Sequence, residues 1–357
     1  MIIVDYIAEN WVLILVLLGF AVSLISTVFM DQRSIRRLFV LIVQVFLLSI
    51  LVFVEFRIAG RTEYRTLRIV LMAIRYSATP FIIAQTIYAV VKNQRWYIFL
   101  PAAAVAVVDF ISIFTGIVFS LDSANKLVRG PLGLLPFIAA GIYCAYMIFV
   151  MIINSSKQMT EVVPIVFFAG AFGSGLLLPF IIGSDYSQIF CSTIAVSIFV
   201  YYVFTILDLT KRDALTGLLN RQAYYADVRN EPGDITALIS IDMNGLKAIN
   251  DNEGHKAGDL ALSTLSNCFL KAARKRYRVY RVGGDEFVIV CRRCTENDVI
   301  ALCSDIQDQV SATKYSCSVG YSISGGENTS IDELLKESDD NMYAAKEKYY
   351  QETGTSR

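Results

Sequence analysis

Seven long apolar runs crowd the first 207 positions of the chain: 10–30, 38–58, 66–91, 97–119, 133–154, 161–183 and 187–207. A helix needs about 20 mostly apolar residues to cross a bilayer. No water-soluble domain buries so many unbroken segments of that length. Charge follows the opposite pattern, since residues 208–357 hold most of it. The expected architecture is therefore a membrane α-helical bundle of about seven spans over 1–207, a helical stalk or linker over 208–219, and a cytoplasmic α+β domain over 220–357. The first run opens "WVLILVLLGF", with no basic segment before it and no small-residue cleavage site, so it reads as a retained span and not a removed leader.

Orientation rests on basic residues in the loops. Arg33, Arg36, Arg37, Lys92, Arg95 and Lys157 lie on one side, and Arg57, Arg61, Arg65, Lys126 and Arg129 on the other. The bias is small. An odd number of spans with the N-terminus outside leaves the C-terminal domain in the cytoplasm, below a multi-pass membrane region. Charges inside spans are costly and ask for a partner. Arg75 and Asp109, in the third and fourth runs, are expected at similar depth and to pair, either lining a ligand pocket or pinning two helices. The stimulus would be an extracellular or intramembrane ligand that no loop motif identifies.

Lys+Arg and Asp+Glu both number 32, so the formal net charge is zero and no bulk attraction to nucleic acid follows. The seven cysteines make no disulfide pattern. Cys144 and Cys191 sit in apolar runs. Cys291 and Cys294 form a C-x-x-C, but no second pair follows and His255 is the only histidine, which argues for reduced thiols in a cytosolic domain rather than zinc.

After the last span, "FTILDLTKRDALTGLLNRQAYYADV" keeps helical spacing through Leu215, with no Pro or Gly before Gly217. The rest alternates short β-branched runs with helical ones. Strands are predicted at 235–242, 277–282, 287–292 and 315–323, and helices at 220–229, 244–253, 257–275, 296–311 and 331–349. Such an order fits one sheet covered by helices. The first of these strands ends in Asp242, where a sheet offers side chains to a ligand. "DMNGLKAINDNEGHKAGD" follows, with Lys247, Asn250, His255 and Asp259 set among glycines that let backbone N–H groups approach a polyanion. A carboxylate there suits the N1–H and exocyclic amine of guanine. In "YRVGGDEFVIV" a Gly-Gly turn carries Asp285 and Glu286 between two apolar strands. If that hairpin neighbours the strand ending in Asp242, three carboxylates converge, and hard divalent cations are the natural neutralising partner. That is the layout of a two-metal phosphoryl or nucleotidyl transfer site.

From Asp208 to Tyr350 the chain resembles the GGDEF family of diguanylate cyclases. The resemblance rests on "DALTGLLNR" at 213–221, "DMNGLKAINDNEGHKAGD" at 242–259, "RVGGDEF" at 281–287, "SCSVG" at 316–320 and "SDDNMYAAK" at 338–346. It implies a palm-like antiparallel sheet covered by helices, akin to nucleotidyl cyclases, and the joining of two GTP molecules into cyclic di-GMP across a homodimer. It implies metal roles for Asp242, the Met243 carbonyl, Asp285 and Glu286, with two Mg2+ ions, or Mn2+ in their place. Asp285 and Glu286 would be catalytic. Gly283 and Gly284 would let the turn lie against the nucleotide. Asn250 and Asp259 would read guanine, His255 would lie near the sugar, and Lys247 and Lys346 would bind phosphate. The N-terminal layout resembles seven-span sensory regions found ahead of bacterial signalling enzymes.

The chain departs from the family pattern at three places. Tyr277 replaces the acid of an Arg-x-x-Asp feedback site that begins at Arg274. Tyr350 replaces an arginine that contacts phosphate, with Lys348 nearby to compensate. Asn244 stands where many members have a second Asp, with little effect expected. The alternative function is a catalytically silent membrane receptor that binds GTP or cyclic di-GMP, against which the intact signature speaks. A transporter with a regulatory tail would call for an internal repeat or matched broken helices, and the spans offer no obvious instance of either.

Overall fold

The computed structural model describes residues 2–91, 94–154, 159–181, 188–230, 232–274, 276–325 and 330–354. Lys92 and Lys157, used above for orientation, lie outside the described residues. The chain divides into two compact units, Met1–Ile206 and Leu207–Arg357.

The first unit is helical: α1 (Ile2–Glu9), α2 (Trp11–Ser26), α3 (Gln32–Arg57), α4 (Arg65–Val90), α5 (Leu100–Thr115), α6 (Leu135–Asn154), α7 (Met159–Ile181) and the start of α8 (Gln188–Thr210). Among the described residues, five stretches are long and apolar enough to cross a membrane, and α1 with α2 make a sixth if their 73° bend lies within one span. The described residues thus support five or six of the expected seven spans on length and composition. The chain bends at Asn10. Buried Leu13, Leu17, Phe20 and Leu24 recur on one face of α2, while Val12, Leu15, Leu18 and Val22 are exposed on the other. An exposed apolar face of this kind fits lipid rather than water.

Helix starts and stops follow local chemistry. The Asp31 carboxylate accepts from the backbone N–H of Arg33 and Ser34, both at 3.1 Å, and so caps α3. Gly116 ends α5 at φ 68°. Beyond it the chain forms a hairpin, β1 (Phe119–Leu121) with β2 (Leu127–Arg129), that the apolar pattern did not disclose. Its turn is held by Asp122 Oδ1, which accepts from Ala124 N at 2.9 Å and Lys126 N at 2.8 Å. Arg65 and Arg68 of α4 donate to the carbonyls of Leu121 and Asn125.

The expected Arg75–Asp109 pair does not form. Arg75 Nε meets Glu55 Oε2 of α3 at 2.9 Å, and the Glu55 side chain is 1% exposed. Asp109, fully buried, accepts from Ser77 Oγ at 3.3 Å. The ionic link thus joins α4 to α3 instead of α5.

In the second unit α8 stops at Thr210, short of Leu215, because the chain turns back on itself: Asp213 N donates to Leu218 O at 2.8 Å. The remaining elements are β3 (Leu219–Asn220), α9 (Arg221–Asn230), β4 (Ile235–Met243), α10 (Leu246–Glu253), α11 (His255–Ala273), β5 (Arg278–Arg281), β6 (Glu286–Arg292), α12 (Glu296–Ser311), β7 (Cys317–Ile323) and α13 (Ile331–Thr353). The sheet order is β3-β5-β6-β4-β7. Every neighbouring pair is antiparallel except β3 with β5, which is parallel, so the expected all-antiparallel sheet needs that one correction. Both faces are covered. Ile239, Ile241, Phe287 and Ile289 pack with Leu265 and Phe269 of α11 and Ile306 of α12, whereas the alternate residues Leu238, Val288 and Val290 pack with Tyr224 and Leu334. Two-sided burial is why β4 and β6 read as continuous apolar runs instead of alternating ones.

Candidate active site

The middle strands converge on one end. Asp242, near the end of β4, lies directly opposite Glu286, the first residue of β6, and its other neighbour is Ser318 of β7. The backbone carries the pairing around the corner, since Met243 N donates to Asp285 O at 3.0 Å. The sequence reading that placed Asp242 beside the Asp285–Glu286 corner thus rests on a β-ladder.

The turn is tight for a stated reason. Val282 N and Gly283 N both donate to Glu286 O, at 3.0 and 3.3 Å. A Cβ on Gly283 would stand 2.4 Å from Glu286 Oε2, so the glycine makes room for that carboxylate. Gly284 faces open space, with nothing within 4 Å of where its Cβ would be. Arg281, to which the sequence reading gave no role, donates through Nε and Nη2 to Gly284 O at 3.2 and 2.7 Å and pairs through Nη1 with Asp213 Oδ1 at 2.9 Å. Asp213 in turn accepts from the backbone and hydroxyl of Thr216. The "DALTG" and "RVGG" stretches are one hydrogen-bonded network, and both were visible as motifs without visible purpose.

Asp242 is 5% exposed. Lys346 Nζ, from α13, lies 2.6 Å from its Oδ1. Lys346 was expected at phosphate; here it neutralises the strand-end acid. α13 reaches that far because its backbone rides on β7. A Cβ on Gly320 would stand 2.1 Å from Met342 N and 2.4 Å from Ser338 O. The buried Ser240 and Ser338 hydroxyls, 2.8 Å apart, tie the same helix to β4. Glu286 is held above the usual carboxylate range, first by burial and then by the charges of Asp242, Asp285 and Asp339, against which Lys346 acts.

The chain leaves β4 through Asn244 and Gly245, whose φ of 70° opens α10. Asn244 is buried, and its Oδ1 accepts from Ser318 Oγ at 2.9 Å. Lys247 is exposed on α10. Gly254, at φ 84°, turns the chain into α11, which begins at His255 and exposes Asp259 in its second turn. Asn250 comes against this helix at Gly258, where a Cβ would stand 2.1 Å from Asn250 Oδ1. Asn250 and Asp259 therefore flank one glycine, as a pair reading one ligand edge would need. Of the departures, Arg274 pairs with Asp305 at 2.9 Å, and Lys348 lies 3.9 Å from Glu352.

As placed, no three His, Cys, Asp or Glu side chains among the described residues are gathered closely enough to hold a metal ion. The donor set nevertheless fits a hard cation. Asp242 and Glu286 face each other across the ladder, Asp285 adjoins them, and the charges of the two aspartates raise the proton affinity of Glu286. Lys346 supplies positive charge to Asp242 in this arrangement.

A family model described as "Diguanylate cyclase, GGDEF domain" matches residues 210–351. The C-terminal unit is a GGDEF domain. It is 36% identical over 148 residues to diguanylate cyclase DgcM of Escherichia coli (strain K12), a match covering 38% of this chain and 35% of that protein. It is 30% identical over 157 residues to an uncharacterized membrane protein, SH2145, of Staphylococcus haemolyticus, covering 38% of this chain and 43% of that one. A solved structure of the coiled coil and GGDEF domain of DgcB from Caulobacter crescentus, in complex with c-di-GMP, aligns at 21% identity over 46% of this chain and 95% of its own, with a TM-score of 0.41. The matched segment thus spans about a third of the DgcM relative's length.

Proposed function

We propose that the GGDEF domain condenses two GTP molecules into cyclic di-GMP and releases two pyrophosphates. Two copies of the chain would meet through the stalk and catalytic unit, each presenting one GTP to the other. The observation that carries this reading is the cross-strand placement of Asp242 and Glu286, with Asp285 bonded through its carbonyl to Met243. The named diguanylate cyclase relative supports it.

In this mechanism Asn250 and Asp259 hold the guanine edge, His255 lies near the sugar, and Lys247 with Lys346 meets the phosphates. Gly283 and Gly284 let the turn close on the nucleotide. The 3′-hydroxyl proton passes to the Asp285–Glu286 corner. Asp242, the Met243 carbonyl, Asp285 and Glu286 would hold Mg2+ or Mn2+, which when bound stabilises charge on the leaving pyrophosphate and lowers the pKa of the attacking hydroxyl. A single domain could bind GTP and yet not complete the ring, because attack needs a second nucleotide held in register.

The N-terminal unit is, on this reading, a sensory bundle in the bacterial inner membrane. With α1–α2 as one bent span and α7 as another beside the five long stretches, it crosses seven times and leaves the GGDEF domain in the cytoplasm. A ligand at its outer face or within the bilayer would alter how two catalytic units face each other. The test is to incubate the full-length chain in lipid nanodiscs with GTP and Mg2+ and quantify cyclic di-GMP and pyrophosphate. Formation of both by the native chain, and loss of at least about a hundredfold in rate on Glu286→Gln, is expected. GTP binding without product by the native chain would instead favour a silent receptor.

A further inference from the structure

The Cys291–Cys294 pair has no part in nucleotide chemistry. It closes the end of β6 opposite Glu286, where the strand runs out at Arg292 and α12 begins after Thr295. Arg293 takes a left-handed conformation, φ 49°, and turns Cys294 back over the strand. Thr236 of β4 receives it twice: its Oγ1 lies 3.0 Å from Cys294 Sγ and accepts from Cys294 N at 3.0 Å. Cys291, three positions earlier on β6, is fully buried. Cys294 itself is half-buried, between exposed Arg293 and Thr295.

We propose that Cys294 and Cys291 are a thiol–disulfide site, in which Cys294 is attacked first by small disulfides in solution and Cys291 resolves the adduct.

The surroundings favour sulfur as an anion. The neighbouring Cys291 thiol and then the Thr236 hydroxyl lower the Cys294 pKa to about 6 against the opposing effect of burial, and Cys294 in turn raises that of Cys291. The charges facing it are Asp298, which opposes ionisation, and Arg276, which favours it. These two pair with each other at 3.0 Å. The other thiols of the unit are raised by burial, Cys303 to about 11 and Cys317 to about 12. Cys294 is therefore the nucleophile, and the C-x-x-C spacing sets a second sulfur against it.

The step balances as a two-electron exchange. The Cys294 thiolate attacks one sulfur of an incoming disulfide, whose S–S bond breaks, and the departing thiolate takes a proton from water. Cys291 then gives its proton to solvent and attacks Cys294 Sγ, and the second small thiol leaves. The cysteine pair is oxidised to a disulfide, and the reagent is reduced to two thiols.

The test uses the full-length chain, reduced, in detergent micelles, with glutathione disulfide as the probe and peptide mass spectrometry as the readout. The expected product is a Cys291–Cys294 disulfide, and Cys291→Ser halts the reaction at a glutathione adduct on Cys294. A thiol that titrates near 6 is half ionised at pH 6 and, after allowing for its weaker intrinsic nucleophilicity, reacts roughly tenfold faster there than one titrating near 8.5. Thr236→Val, which keeps the side chain's shape, is expected to move the inflection of the rate profile upward. A first adduct on Cys303 or Cys317, a Cys294 adduct that Cys291 never resolves, or a rate profile inflecting at an ordinary thiol's pKa would overturn the assignment.

Discussion

Asp242 was readable as a site acid because it ends an apolar, β-branched run, and a strand end is where side chains meet ligands. Its partner was not readable. Lys346 stands 104 positions away, and its arrival depends on which face α13 buries. Both side chains are close to buried, at 7% and 12% exposure, so the pair acts with little solvent screening. Replacing Lys346 by Met leaves a buried carboxylate without its cation, at a cost of about 3 kcal/mol. If Asp242 is also a metal ligand, Mg2+ takes over part of that compensation. The expected result is a lowered melting midpoint for Lys346→Met that Mg2+ raises by more than it raises the native midpoint. Equal Mg2+ shifts in thermal melts of the two proteins would deny Asp242 that role. Asn250 and Asp259, proposed to read guanine, were legible as residue types, but the packing of Asn250 against α11 was not. It depends on Gly258 admitting Asn250 against α11, a contact the spacing alone does not imply.

Among the elements, β4 and β6 were legible because burial on both faces writes apolar runs of strand length, and β7 and the long helices because their patterns keep a strand or helical period. Three features escaped. The β1–β2 hairpin follows directly on an apolar run, β3 is two residues long, and the bend at Asn10 interrupts a run whose composition does not change. Packing between elements yields two expectations. Gly320→Ala sets a methyl group against the α13 backbone, which has no rotamer to give. It should lose about 1–3 kcal/mol and withdraw Lys346 from Asp242, whereas Gly284→Ala, in open space, leaves the denaturation midpoint unchanged. In the first unit, Glu55→Gln removes the charge that Arg75 meets at the α3–α4 interface, so it should lower the unit's thermal stability in nanodiscs. Adding Arg75→Met should restore part of the loss, because removing both charges also removes the desolvation cost. A double variant less stable than the single one would show that the ionic contact is not what pins these helices.

At the scale of the whole chain, composition alone separates an apolar half from a charged one, and the zero net charge leaves specific sites to do the binding. Whether each run is one straight span was less legible, because hydropathy records how apolar a stretch is and not whether its helix is straight. The Arg75 partner was missed for a related reason: hydropathy places a charge at a depth but does not say which neighbouring helix faces it. The proposed activity depends on neither count. It depends on Asp242 and the Asp285–Glu286 corner serving one cation-bound nucleotide. Electron paramagnetic resonance of Mn2+ bound to the full-length chain, with 3′-deoxy-GTP present to prevent turnover, measures that directly. The expected result is nucleotide-dependent Mn2+ binding that weakens at least about tenfold in both Asp242→Asn and Glu286→Gln. Native Mn2+ affinity in both variants, with nucleotide still bound, would contradict it.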